Sequence, residues 1–155
     1  MCHYCGCRDI PLFKEFISEH AQVHDLSGAA LRALDAGDVA AARTLLERMA
    51  DALRIHWAGE EEGLFRVMGA YEEYAAYIAA LVREHRELDA LLRETDLADP
   101  AGQRRVREAV GELALHISKE EDGLFPAALT ALDGPEWDLA LGAWERVHGR
   151  PVPGT

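Results

Sequence analysis

Cysteine is scarce and oddly placed: three occur, Cys2, Cys5 and Cys7, all within the first seven residues. An odd, clustered set in a chain without an export signal argues against a disulfide framework and for thiol chemistry or metal binding. No apolar run approaches the roughly 20 residues that cross a bilayer. The N-terminus also lacks the charged-then-apolar layout of a secretory signal, so the sequence reads as a cytoplasmic protein with no membrane partner. Positive charge is in short supply, with 16 Lys and Arg against 28 Asp and Glu and a formal net charge of -12. Such a surface repels phosphate backbones, which excludes nucleic acid and leaves cationic, metallic or small partners. Strand signals are missing too: no β-branched alternation is flanked by hairpin turns.

What is present is helix. Long segments rich in Ala, Leu, Glu and Arg are broken at Asp35-Ala36-Gly37-Asp38, Met68-Gly69-Ala70 and Asp99-Pro100-Ala101-Gly102. These breaks predict four helices, roughly 11–36, 38–68, 71–95 and 101–131. A fifth, about 135–147, opens with Pro135-Glu136 and precedes a Pro/Gly tail expected to be loose. Short connections between long helices force antiparallel neighbours, so the fold class is all-α, an up-down-up-down four-helix bundle with a short C-terminal helix. In 155 residues this makes one bundle over 11–131, a Cys-rich segment over 1–10 and a C-terminal helix and tail over 132–155.

Each inward stripe carries one histidine near its middle: His20, His56, His85 and His116. Antiparallel helices place residues equidistant from their shared turn at the same level. The midpoint of His20 and His56 is position 38, on the first turn; the other two midpoints fall at Gly69/Ala70 and Pro100/Ala101. All four histidines therefore belong to one layer. An internal repeat reinforces this. Glu19-His20 followed by His56-Trp-Ala-Gly-Glu60-Glu-Glu-Gly63-Leu-Phe65 parallels Glu84-His85 followed by His116-Ile-Ser-Lys-Glu120-Glu-Asp-Gly123-Leu-Phe125. Two such helix pairs imply a pseudo-twofold axis and a site for two equivalent ions.

A residue at i+4 lies about 40° around the helix from i, so His56 with Glu60 and His116 with Glu120 converge. Glu61 and Glu121, about 140° from those histidines, should face outward or a neighbouring helix. One buried histidine is ordinarily a hydrogen-bonded core residue. Four imidazoles and two carboxylates in one core layer are costly unless something pairs with them. A dinuclear cation removes the cost: imidazole and carboxylate suit iron or manganese, zinc remains open, and a glutamate can bridge two ions. Two divalent ions against two glutamates leave positive charge that an oxo or hydroxo bridge offsets. Six side chains cannot saturate two six-coordinate ions, so open positions remain for dioxygen, peroxide, nitric oxide or water.

The spaced set His, His-x-x-x-Glu, His, His-x-x-x-Glu resembles the hemerythrin-like (HHE cation-binding) family of di-iron bundles. The resemblance covers about residues 11–131 and implies iron ligands at His20, His56, Glu60, His85, His116 and Glu120, with the glutamates bridging. Oxygen-carrying hemerythrins have His-x-x-x-His on the third helix, where this chain has His85 followed by Asp89. On the fourth they have His-x-x-x-x-Asp, where this chain has Glu120 and Glu121 after His116. The pattern is closer to the repair-of-iron-centres subgroup and to actinobacterial hemerythrin-like proteins. That similarity implies redox or iron-handling chemistry under oxidative or nitrosative stress, with a small diatomic or peroxide ligand, and it points away from simple oxygen carriage. A reversible oxygen, nitric oxide or iron carrier, a sensor, and a zinc-bound structural bundle are the rival readings. The electron donor and the choice between monomer and homodimer stay open, as does whether the chain is an enzyme of peroxidase or oxidase type.

Other features carry expectations of their own. His24, one turn from His20, could be a fifth histidine ligand, support a ligand or sit at the flank, with the second two favoured, and its repeat counterpart Asp89 has the same ambiguity. Gly63 and Gly123, seven residues after their histidines, suggest close helix approach or space for a small ligand, because glycine inside a helix costs about 1 kcal/mol. Phe13, Phe16 and the Tyr71, Tyr74, Tyr77 row read as core or seam aromatics. Trp57 should point away from the metal. Glu145 and His148 have the spacing of a ferritin motif but lack the duplicates it needs. Cys2, Cys5 and Cys7, with His3, could form a separate thiol or metal site.

Overall fold

The structure is a computed structural model that describes residues 6–155. After a short 3₁₀ turn at Cys7–Asp9, the chain forms α1 (Pro11–Asp35), α2 (Val39–Gly59), α3 (Phe65–Gly69), α4 (Glu72–Glu94), α5 (Pro100–Lys119), α6 (Phe125–Ala131) and α7 (Gly134–His148). Two π turns, Glu60–Leu64 and Glu120–Leu124, join α2 to α3 and α5 to α6 without a break in helical backbone. The molecule is thus a bundle of four long helices plus α7, with boundaries within one or two residues of those the breakers predict.

Local chemistry explains the boundaries. Gly37 at φ +74° makes the left-handed turn after α1, and Asp38 then caps α2 by accepting from the Ala41 amide at 3.0 Å. Asp99 caps α5 through the Ala101 amide at 2.9 Å, with Pro100 at a first-turn position where no donor is missed. A reciprocal box between Asp133 and Glu136 opens α7, and Gly149 at φ +67° closes it.

The apolar stripes pack into two cores. One gathers Phe13, Phe16, Leu64, Phe65, Phe125 and Trp144; the other gathers Val23, Ala30, Leu46, Met49, Leu53 and Leu113. Along each long helix the layer histidine lies between the two sets: His20 between Phe16 and Val23, His56 between Leu53 and Leu64. Burial of each large apolar side chain is worth about 1.5–3 kcal/mol, and this frames the polar layer from both ends.

The C-terminal tail corrects an expectation. It is not loose: Val152 is buried, its amide donates to Glu145 Oε1 at 2.9 Å, and the Arg150 guanidinium sits 4.6 Å from the Trp144 ring centre. Arg150 also reaches Glu15 of α1 at 2.8 Å, so the tail ties α7 to the bundle.

Candidate metal centre

One histidine from each long helix and one glutamate from each π turn meet in the middle of the bundle. Glu60 and Glu120 are fully buried, and His20, His56, His85 and His116 expose 5% or less. The Nε2 atoms of His20 and His56 are 3.0 Å apart, and those of His85 and His116 are 2.9 Å apart. Glu60 Oε1 lies 3.0 Å from His56 Nε2 while its Oε2 lies 3.5 Å from His85 Nε2. Glu120 Oε1 lies 2.7 Å from His116 Nε2 while its Oε2 lies 3.0 Å from His20 Nε2. Each glutamate therefore spans the two histidine pairs.

These separations have a physical signature. Two ligand atoms about 2.1 Å from one ion at right angles lie about 3.0 Å apart. The nitrogens and oxygens here stand at that spacing, and the four buried carboxylate oxygens of Glu60 and Glu120 make no conventional hydrogen bond; they face the imidazole Nε2 atoms as ion-pair partners. Such buried carboxylates are very costly on their own. Two groups, His20 with His56, Glu60 and Glu120, and His85 with His116 and Glu120, each bring their ligand atoms within 4.8 Å of one another. The donor set fits two cations with Glu120 common to both.

The outer ring nitrogens fix how the imidazoles face. His20 Nδ1 meets Glu121 at 2.9 Å, His56 Nδ1 meets Glu19 at 2.7 Å, His85 Nδ1 meets Glu61 at 2.9 Å and His116 Nδ1 meets Glu84 at 2.6 Å. With Nδ1–H donating to a carboxylate, the neutral ring turns its Nε2 lone pair inward, as a metal-binding imidazole requires. Each carboxylate is in turn held by a cation or imidazole: Arg8 at 2.9 Å from Glu121, Arg86 at 3.7 Å from Glu61, Lys119 beside Glu84 and His148 beside Glu19. Glu61 and Glu121 thus take the neighbouring-helix alternative, each reaching a histidine on another helix.

These four outer carboxylates were not singled out as partners of the ligand histidines from the sequence. The available signal was the doubled acid in Glu60-Glu61 and Glu120-Glu121, together with Glu19 and Glu84 directly before His20 and His85. The π turns were missed as well. In each, the phenylalanine amide (Phe65 or Phe125) donates five residues back, to Glu60 O or Glu120 O. The widened turn lets adjacent glutamates serve different helices, one turned into the cluster and the next to a neighbouring histidine.

Electrostatics show what the layer does without a metal. Burial opposes charge on the imidazoles, but the carboxylates prevail: His56 is raised to about 9, chiefly by Glu60 and Glu19, and His85 and His116 are also raised. His20 is raised well above its ordinary value by Glu120, Glu121 and Glu60. Conversely, burial and the Glu120 charge push Glu60 up, yet the His56 and His20 imidazoles bring it below its usual range. Glu120 falls well below, because His116, His20 and His85 outweigh its burial. Protons stand in for metal charge in this layer.

His24 is exposed and lies outside the cluster, which is the flank alternative, and Asp89 pairs with Arg93 on its own helix. Trp57 is not clear of the layer as expected: its ring stacks on His85 with centroids 4.8 Å apart. The Glu145/His148 pair is not idle: Glu145 holds the tail, and His148 reaches Glu19 behind His56. Gly63 is a close-approach glycine, since a Cβ there would stand 2.8 Å from Ala140 O of α7. At Gly123 a Cβ would stand 2.8 Å from the Tyr77 hydroxyl, which donates to Lys119 O at 2.6 Å. Phe13 and Phe16 are core residues, as expected, stacked with Phe125 at 4.2 and 5.9 Å. Cys2, His3 and Cys5 lie outside the described residues. Cys7 is buried in the core with Leu12 and Phe13, and among the described residues no metal-like cluster includes a cysteine.

A bundle of four long helices with a buried, duplicated histidine–glutamate layer defines a cation-binding helical protein. The sequence profile described as Hemerythrin HHE cation binding domain matches residues 12–128, and the chain belongs to that family. No curated protein and no solved structure gives a significant match.

Proposed function

We propose that the chain is a cytoplasmic non-haem di-iron protein that acts on dioxygen, peroxide or nitric oxide, or supplies iron, under oxidative or nitrosative stress. The observation that carries this reading is the set of four buried oxygens of Glu60 and Glu120 converging with four inward-turned Nε2 atoms at metal-ligand spacing. His20, His56, Glu60 and Glu120 would hold one ion and His85, His116 and Glu120 the other, with Glu60 Oε2 reaching across to the second. Iron held there would supply Lewis acidity and one-electron redox chemistry.

The chain's own contribution is preorganisation. The outer glutamates hold the imidazoles in one tautomer and raise their basicity, while Phe16, Phe65, Phe125 and Trp57 pack against the rings and keep the layer dry. The choice of iron rests on the family resemblance; the absence of thiolate from the layer argues only against a structural zinc–thiolate site. Metal analysis after anaerobic reconstitution tests the reading, with about two irons per chain expected; less than about one, or complete ligation by zinc with no redox-active spectrum, overturns it. Steady consumption of peroxide or nitric oxide, set against a reversible spectral change, separates turnover from carriage.

A further inference from the structure

Resting on the reading of the layer as a metal centre, we propose that a neutral small molecule reaches it through the cleft between α4 and α5, at the His85/His116 half alone. The equivalent cleft between α1 and α2 is closed by α7. The repeat makes the comparison direct, because the two clefts are built from matching positions. Glu84, Glu87, Glu112 and Leu115 line the first; Glu19, Gln22, Ala52 and Ile55 line the second.

Their floors differ. The α4/α5 cleft, of about 260 Å³, runs down past Leu88, Leu113, Leu115 and Trp57 to the imidazoles of His85 and His116. The α1/α2 hollow ends at Glu19 and His148 and includes neither His20 nor His56 in its lining. Gly59 and Gly63 let α7 lie against the first repeat: a Cβ at Gly59 would stand 3.1 Å from His148, and one at Gly63 2.8 Å from Ala140 O. Gly63 is matched by Gly123, so the sequence difference lies at Gly59. The residue matching Gly59 in the second repeat is Lys119, whose ammonium swings to Glu84 at the side of the cleft.

The lining also sets the chemistry of the occupant. Both cations that line the cleft are already engaged, Lys119 with Glu84 and Arg105 with Glu112 at 3.0 Å. Among the described residues that line the cleft no free positive charge waits for an anion, and the chain's net charge of -12 repels one. Three leucines and an indole form walls that favour a neutral, weakly solvated molecule. Dioxygen and nitric oxide meet that description; hydrogen peroxide is neutral but strongly hydrated, and superoxide and nitrite are anions.

Two measurements test the port. In the first, the reduced, iron-loaded chain is mixed anaerobically with nitric oxide and the absorbance change is timed. Leu115→Trp and Leu88→Trp narrow the cleft from opposite walls, and Ile55→Trp makes the matching change over α1/α2. At least a tenfold slower association in one of the cleft variants, at equal iron content and with Ile55→Trp within twofold of the parent, supports the proposal. Neither cleft variant slowing, or Ile55→Trp slowing as much, overturns it. The second needs no metal: crystals of the unsubstituted, metal-free chain are pressurised with xenon, which seeks apolar hollows. Xenon between α4 and α5 supports the port, whereas xenon only over α1/α2 or nowhere near His85 overturns it. If the chain takes up no iron, the functional reading fails and the xenon result alone decides the port.

Discussion

Removing or adding metal should reverse the pH dependence of stability. In the metal-free chain the His56 pKa is raised from 6.5 to about 9 on folding. A group that binds its proton more tightly when folded contributes fully below its unfolded pKa and loses that contribution as pH rises through the folded value. For His56 the window is therefore about pH 6.5 to 9, and a shift of that size corresponds to on the order of 3 kcal/mol. For a chain of this length each kcal/mol moves the melting temperature by about 2–4 °C, so melting should fall by about 6–12 °C across the window. His20, His85 and His116 act in the same direction. Metal ligation requires deprotonated imidazoles, so the loaded chain should gain on the metal-free chain as pH rises. Differential scanning calorimetry from pH 5 to 9, with and without stoichiometric iron under argon, gives both curves. A metal-free melting temperature that stays flat from 6.5 to 9, or a gap that narrows with pH, would refute the proton-for-metal argument.

Glu120→Gln removes the carboxylate common to both ligand groups, and metal content by plasma emission should drop from two ions to one or none while the helical circular dichroism spectrum persists. Glu84→Gln leaves the ligands intact but weakens the hydrogen bond to His116 Nδ1; metal affinity in a competition assay should fall about 10–100-fold, and an unchanged affinity would count against the outer carboxylates. Gly63→Ala forces a methyl to within 2.8 Å of Ala140 O and should cost about 1–3 kcal/mol in denaturant unfolding. Gly111→Ala, where no atom lies within 4 Å, should instead stabilise by about 0.5–1 kcal/mol.

The layer was legible because antiparallel geometry converts sequence distance into depth. His20, His56, His85 and His116 reflect through turns that Asp38, Gly69 and Pro100 mark on independent grounds. The glutamates followed from an i+4 offset that any regular helix provides. What escaped depended on a break in that regularity. Rotation by 100° per residue sends Glu61 and Glu121 away from their own helix's histidine, which is correct, but it cannot say which neighbour receives them. Only with four helices in place does Glu61 meet His85 and Glu121 meet His20. The role of His148 escaped for a related reason: it lies 129 residues from Glu19, and nothing local distinguishes it from a solvated helix end. The tail was judged by composition, whereas Val152 and Arg150 are held by tertiary partners on α7 and α1.

The duplication and its breaking have separate consequences. Symmetry supplies the layer: matched offsets in the two halves give two histidine pairs, two buried glutamates and four outer acids. On the proposed port, asymmetry supplies access. Three of the four outer acids stand beside a fixed cation, Arg8, Arg86 or Lys119, but Glu19 stands beside His148, an imidazole delivered by α7. The helix that brings this imidazole also covers the α1/α2 side, because Gly59 and Gly63 leave it room. Lys119 at the position matching Gly59 carries a long side chain that pairs with Glu84 and lies along the opposite cleft. A symmetric repeat builds two matched halves, and the proposed port depends on one of them being left uncovered. A single helix packed against one half of the repeat is sufficient to create that difference.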